Sequence, residues 1–464
     1  MPTLIALLVG LPVTVAACEA PVKGARLESA RYTLAYNMSE LAVSRHFTMD
    51  VGACAKSGAL PETLKVDAQM PDHRHGMNYR PEVKPVRDGQ WRVEGMLFHM
   101  PGRWQLAFDL GGERLAVDLM VFNDDEKARI LSLGPWPPKP RRDPSNRVSG
   151  KPEAIALGER LFFEPRLSST GSVLCATCHA PFRAFQDGRA RGFGLEEGNR
   201  NTPSLINVGL YRWYGWDGAH DSLWAQSVRP MLDPREMRAT PAHIAGALRK
   251  NFAADYAKAF GRAVPADDEE AMIDAGKALA AYQETLVSGR TPFDDFRDAL
   301  EKSDADGMRR YPLAAQRGLA IFVGKGNCTT CHFGPHFSNG EFADAGIKGR
   351  ADPGRLEGIQ QVKTDPFNLL GRYNDDPTRG NATGTKHVEL QQRNLGEFRV
   401  PGLRNVALTA PYMHNGSIAT LREVVKHYSE MEDGPVLHRL NLTARESEDL
   451  VVFLQSLTDA SQLR

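Results

Sequence analysis

The sequence predicts a multidomain chain in which a small antiparallel β-sandwich precedes two mostly α-helical units of similar build. Three observations predict it. Between residues 25 and 123, apolar and polar side chains alternate in short runs separated by Gly, Pro and Asp turns, the two-residue period of half-buried strands. From residue 153 onward, apolar residues recur instead at helical spacing. Two Cys-x-x-Cys-His strings, at 175–179 and 328–332, each follow such a helical stretch, as an internal duplication would arrange them.

In chain order, the first 17 residues, MPTLIALLVGLPVTVAA, are apolar and end in small residues. That length suits an export signal and is short for a membrane span, although no Lys or Arg precedes the run. Residues 18–123 form the expected sandwich, with RYTLAYN, HFTMDV, QWRVEGMLF, RWQLAFDL and RLAVDLMVF as strands. Residues 124–152 read as a linker, because GPWPPKPRRDPSNR (134–147) is too rich in Pro for helix or sheet. Residues 153–310 and 311–464 are the two helical units. ALGERLFFEPRLSSTGSVLCATCH in the first parallels LAAQRGLAIFVGKGNCTTCH in the second: a helix with Gly, an aromatic, then the cysteine string. The last helix, ARESEDLVVFLQSLTDA (444–460), is expected to pack across the second unit.

Composition narrows the function. With 464 residues, 42% hydrophobic and 25% charged, the chain can bury ordinary cores. Lys plus Arg equals Asp plus Glu at 57 each, which argues against a nucleic-acid binder. No later stretch reaches the ~18 apolar residues of a membrane span. Of the six cysteines, Cys18 and Cys54 lie outside the strings. They pair as a disulfide in an oxidising compartment, or Cys18, ending V-A-A-C, is a lipoprotein cleavage site; the two readings exclude each other.

The strings carry specific chemistry. Two thiols three positions apart add to the two vinyl groups of one porphyrin, and the adjacent histidine reaches the iron. A zinc site would not need His directly after each cysteine pair, and a cytosolic dithiol would not follow an export signal. Cys175, Cys178, Cys328 and Cys331 are therefore read as attachment points for two c-type haems, with His179 and His332 as proximal ligands. Such haems are attached outside the cytoplasmic membrane, so the expected location is the periplasm.

Around both strings, and in NTPSLINVGLYRWYGWDG, SVRPMLDPREM and FRVPGLRNVALTAPYMHNGSIATLREVVKHY, residues 153–464 resemble the di-haem cytochrome c peroxidase/MauG family. The two units are then cytochrome c-like haem domains, the first peroxidatic and the second transferring electrons. The family places a Trp between its haems, followed at intervals of ten, fourteen and twenty residues by Gln, Pro and Glu. Trp216, Gln226, Pro230 and Glu236 fit every interval. The resemblance implies that Glu236 moves the peroxide proton, with Gln226 as hydrogen-bonding neighbour and Trp216 as an electron step between irons. On residue type alone, Glu236 would read as a helix-terminal acid, Gln226 as a surface residue and Trp216 as core. A calcium ion is implied at the side chain of Asn201 and the carbonyls of Thr409 and Pro411.

Two departures select a branch. Reductively activated members carry a blocking His sixteen residues after the first proximal His; here that residue is Leu195. The first haem is then expected to be open in the diferric state. Fourteen residues after His414 of the P-Y-x-H string, where the cytochrome c peroxidases have Met, this chain has Tyr428, the MauG pattern. A phenolate ligand lowers the haem potential; Met431 and Met413 are the alternatives. The Trp that the MauG branch carries two residues before its second string is Gly326 here, so that electron route does not transfer.

Residues before 123 resemble the small β domains called FixH- or YtkA-like, through DAQMPDHRHGM and GMLFHMPGRW. Met70, His73, His75, Met77, His99 and Met100 make a soft cluster that suits copper, or a turn whose histidines bond backbone and whose methionines fill core. The leading expectation is a peroxidase using hydrogen peroxide to oxidise a small cytochrome c, a cupredoxin or a partner-protein side chain. A plain di-haem electron carrier and a copper module with accessory haems are the competing classes.

Overall fold

The computed structural model describes residues 18–39, 41–347, 352–434 and 436–459; the expected signal segment 1–17 lies outside them. The chain divides into two compact units, residues 18–124 with 302–313, and residues 125–301 with 314–459.

The first unit is an antiparallel sandwich. Its strands are β1 (Ala25–Glu28), β2 (Tyr32–Met38), β3 (His46–Ala55), β4 (Leu64–Met70), β5 (His75–Gly76), β6 (Glu82–Arg87), β7 (Gln90–Leu97), β8 (Gly102–Leu110) and β9 (Glu113–Val121). They form a sheet in the order β1-β2-β3-β7-β6 and a second in the order β5-β4-β8-β9. Strict alternation decides which faces meet: Leu64, Val66, Ala68 and Met70 of β4 point inward while the residues between them are exposed. They join Leu34, Val51, Val93, Trp104, Leu106 and Phe108 in one core. Cys18 and Cys54 are joined in a disulfide, Cα atoms 5.9 Å apart. The same sulfur cannot also carry a lipid. Residues 302–313, between the two cysteine strings, also belong here: helix Ala305–Arg310 lies along β1 and Ala305 packs on the core.

The second unit is helical and repeats one device. Helix Pro152–Phe162 crosses helix Asp268–Gln283 at Gly158, where a Cβ would stand 1.9 Å from the Ala278 carbonyl oxygen. Helix Leu313–Val323 crosses helix Ala444–Gln455 at Gly318, where a Cβ would stand 2.0 Å from the Asp449 carbonyl oxygen. Only glycine permits either approach. Each crossing is followed in sequence by an aromatic and then the cysteine string, matching the expected duplication. The Pro-rich stretch does not stand free of this unit. Asp124–Ser132 is helical, Ile130, Leu133, Trp136 and Val148 are buried, and Trp136 Nε1 donates to the Ser288 carbonyl at 2.9 Å. The apolar residues scattered among the prolines give it a surface to bury, which composition alone concealed.

Candidate functional site

Each cysteine string closes a single helical turn, Cys175–Cys178 and Cys328–Thr330. None of the four cysteines is in a disulfide. Burial pushes the Cys175 and Cys328 thiols up to about 12 and Cys178 up to about 11. The following histidine is oriented the same way in both. His179 Nδ1 donates to the Phe185 carbonyl at 3.1 Å, and His332 Nδ1 donates to the Phe337 carbonyl at 2.9 Å. A carbonyl only accepts, so Nδ1 carries the proton and Nε2 is left with its lone pair, the tautomer a metal-binding imidazole needs. Burial lowers both histidines below their usual value and keeps them neutral.

Beside the first string lies a cavity of about 720 Å³. Cys175, Cys178 and His179 line it together with Trp216, Gln226, Arg229, Pro230, Glu236 and His414. Helix Leu223–Leu232, capped by the Ser222 hydroxyl, carries Gln226, Arg229 and Pro230. Pro230 has no N–H to return to the backbone carbonyl of Gln226, which weakens the helix where it borders the cavity. The Gln226 Oε1 is buried without a partner. Glu236 is half-buried, its carboxylate paired with the Arg229 guanidinium, which also holds Asp233 at 3.0 Å. Burial pulls Arg229 down, but Glu236 and Asp233 outweigh it and hold the guanidinium above its ordinary value. Leu195, with no ligating atom, donates its backbone N–H to the Glu236 carbonyl at 3.1 Å.

Trp216 ties distant parts of the chain together. Its Nε1 donates to the Asn201 carbonyl at 2.8 Å, and the Asn201 N–H donates to the His414 carbonyl at 2.8 Å. Asn201 is thereby joined to the loop that carries Thr409 and Pro411, while its Nδ2 donates to the Arg189 carbonyl at 2.8 Å. The His414 ring stacks on Phe398 at 3.5 Å, and burial lowers it to about 4. The predicted site residues therefore fall into two groups. Trp216, Gln226, Pro230, Glu236 and His414 gather at the first cavity. Tyr428 sits apart on helix Leu421–Glu430 beside the second string, where burial and the thiols of Cys328 and Cys331 push its phenol up to about 12. Met431 ends that helix, and its Cε stands 3.0 Å from where a Cβ on Gly346 would be. Met413 is in the left-handed backbone region, φ 73°.

Sequence reasoning missed three polar groups. Arg399 Nη1 and both ring nitrogens of His336 are buried without partners. The Arg399 guanidinium lies 3.7 Å from the Tyr211 ring centroid, and His336 meets the same ring edge-on at 4.8 Å. Burial, reinforced by Arg399, Arg404 and His332, lowers His336 to about 3. The one signal was a second His four residues after His332. Buried orphan donors, unbridged cysteines and two Nε2 lone pairs fit a large planar group with polar edges, which is what two haems require.

A family model described as di-haem cytochrome c peroxidase matches residues 152–302. The methylamine utilization protein MauG of Methylorubrum extorquens is 35% identical over 327 residues, covering 69% of this chain and 81% of that protein. Cytochrome-c peroxidase IdrP1 of Denitromonas iodatirespirans is 34% identical, covering 71% of this chain and 87% of its own length. Among solved structures, a MauG-like protein associated with microbial copper homeostasis aligns with a TM-score of 0.55 at 27% identity, covering 71% of this chain and 96% of that one.

Proposed function

Because the chain belongs to the di-haem cytochrome c peroxidase family and is a di-haem peroxidase, we propose that it works on the MauG-like branch, accepting hydrogen peroxide without prior reduction. Leu195 is the observation that carries this reading: an aliphatic side chain stands where the reductively activated members place a blocking histidine. The haems, when bound, supply the redox centres at which peroxide is reduced.

The chain's own residues do the rest. Cys175 and Cys178 would anchor one porphyrin and Cys328 and Cys331 the other, with the Nε2 lone pairs of His179 and His332 available to the irons. Glu236, steadied by Arg229, accepts a proton from the near peroxide oxygen and returns it to the far one. Gln226 orients the peroxide by hydrogen bonding, and Pro230 shapes the wall beside it. Trp216, roughly midway in the chain of contacts from Asn201 to Arg399, offers an aromatic step for electrons between the two centres. Tyr428 would supply the second protein ligand to the haem held at 328–332, and His414 packs beside the Trp216 network. Asn201, Thr409 and Pro411 hold one calcium ion, their oxygens suiting a hard cation.

The electron source is a small cytochrome c, a cupredoxin or a side chain of a partner protein. The location is the periplasm, reached through the segment 1–17; no helix among the described residues is long and apolar enough to cross a membrane. The N-terminal unit is a soft-metal module that takes copper.

Electron paramagnetic resonance of the diferric protein tests the branch. A high-spin signal that vanishes within seconds of one equivalent of peroxide is the expected result. Two low-spin signals indifferent to peroxide would overturn the reading in favour of a reductively activated peroxidase or an electron carrier.

A further inference from the structure

The sandwich unit gathers a set of ligating side chains that the peroxidase chemistry does not use. Three histidines separated by up to 26 positions in sequence meet in space. The rings of His73 and His75 stand 5.8 Å apart, and those of His75 and His99 stand 5.1 Å apart with a 32° tilt. Two imidazoles sharing one ion have centroids about 5 to 6 Å apart, since each metal–nitrogen bond is about 2 Å.

The surroundings hold this geometry in place. Strand β5 is the edge of its sheet, and Met70 pairs with His75 in the ladder. The Met77 N–H continues that ladder to the Ala68 carbonyl at 3.1 Å, so His75 and Met77, two residues apart on an extended segment, share a face. The hairpin between β4 and β5 is clamped by Asp72, which receives Arg103 at 2.8 and 2.9 Å. On the other side His99 stands edge-on against the buried Trp104 at 5.2 Å, and Trp104 Nε1 donates to the Met100 carbonyl at 3.0 Å. Met77 and Met100 are partly buried against the core.

Ring packing alone would explain the distances. It does not explain why His99 Nδ1 is buried with no hydrogen-bond partner. A buried ring nitrogen without a partner is costly unless something else binds it. Among the described residues no three His, Cys, Asp or Glu side chains are grouped to hold a metal ion; the soft side chains next to these histidines along the chain are Met77, two residues after His75, and Met100, which follows His99. A neutral imidazole and thioether set, with the hairpin carboxylate engaged by arginine, compensates one positive charge poorly and two worse. It suits a soft monovalent ion over zinc or copper(II).

We propose that His75 and His99, with the thioethers of Met77 and Met100, bind one copper(I) ion at the end of the sandwich, with His73 at its exposed rim. This deepens the reading of the N-terminal unit as a copper module and rests on it. The test uses the full-length, haem-loaded protein, titrated with copper(I) against a chromogenic copper(I) chelator and, separately, with zinc(II). We expect one equivalent of copper(I) to be retained. His99→Ala and His75→Ala should each weaken retention at least tenfold, and Met77→Leu/Met100→Leu should weaken copper(I) while leaving zinc uptake unchanged. His75 is exposed on an edge hairpin, so its variant keeps the fold even where His99→Ala, beside Trp104, does not. No retention of any metal would overturn both the site and the module. Metal uptake that ignores the methionine pair would overturn the copper(I) site alone. Peroxide turnover measured on the same samples reports separately on the peroxidase reading.

Discussion

Glu236 and Glu284 show how burial gives two carboxylates different work. Glu236 is tethered by Arg229 at the edge of the first cavity. Glu236→Gln keeps the shape and removes the proton acceptor. It should slow the peroxide step by about a hundredfold or more while both haem spectra stay close to those of the parent. Unchanged stopped-flow rates would remove Glu236 from the chemistry. Glu284 accepts the Ser149 hydroxyl at 2.6 Å through one oxygen while the other is buried without a partner. Burial raises it from 4.5 to about 7, with Asp143 adding and Ser149 opposing. A carboxyl raised on folding favours the native state below its unfolded value and loses that contribution as pH climbs through the folded one. Stability should therefore fall between pH 4.5 and pH 7 by an amount on the order of 3 kcal/mol from this group. Denaturant melts at pH 5 and pH 8 should show a smaller difference in Glu284→Gln; an equal difference would place the pH dependence elsewhere.

At the scale of elements, the two glycine crossings govern the helical unit. The helices at Gly158 and Gly318 approach so closely that any side chain must push backbone apart. Gly158→Ala gains a little helix propensity but forces Pro152–Phe162 away from Asp268–Gln283, so it should destabilise by about 1–3 kcal/mol or more. Thermal unfolding followed at the haem band reads this directly, and a melting temperature equal to the parent's would mean that the helices slide without cost. Moving the first helix also moves Phe162, which lines the cavity, so peroxide kinetics should suffer with stability. The strands obey a simpler rule. Period-two spacing makes β2, β3, β7, β8 and β9 readable from the sequence, whereas β5 has only two residues and no period to show.

For the whole molecule, each unit has its own core and only the sandwich carries a disulfide. The Cys18–Cys54 link spans 36 positions, a loop whose closure is worth about 4 kcal/mol in the chain-entropy account. Mild reductant should therefore lower the unfolding of the sandwich and leave that of the helical unit where it was. Calorimetry with and without reductant would show it, and a shift common to both transitions would mean that the units unfold as one. The balanced charge of 57 against 57 gives the chain no overall field with which to attract a donor. Any steering of a cytochrome or cupredoxin has to come from local patches.

What the sequence determined by itself is what short-range chemistry encodes. Haem attachment dictates two thiols and a histidine at set intervals, so Cys175, Cys178, His179 and their counterparts at 328–332 are legible without a fold. Pleat and helix pitch likewise write the sandwich strands and the helices into local periodicity. Tertiary structure alone decided what depends on closing long loops. It brought Asn201 to the His414 backbone across more than two hundred residues, and His99 to the ring of His75. It buried the Arg399 Nη1 and both His336 ring nitrogens without hydrogen-bond partners, packed the Pro-rich stretch at 134–147 onto the helices, and laid residues 302–313 along the sandwich. No local period records these contacts, because the partner of each lies far along the chain and only the packed cores bring the two together.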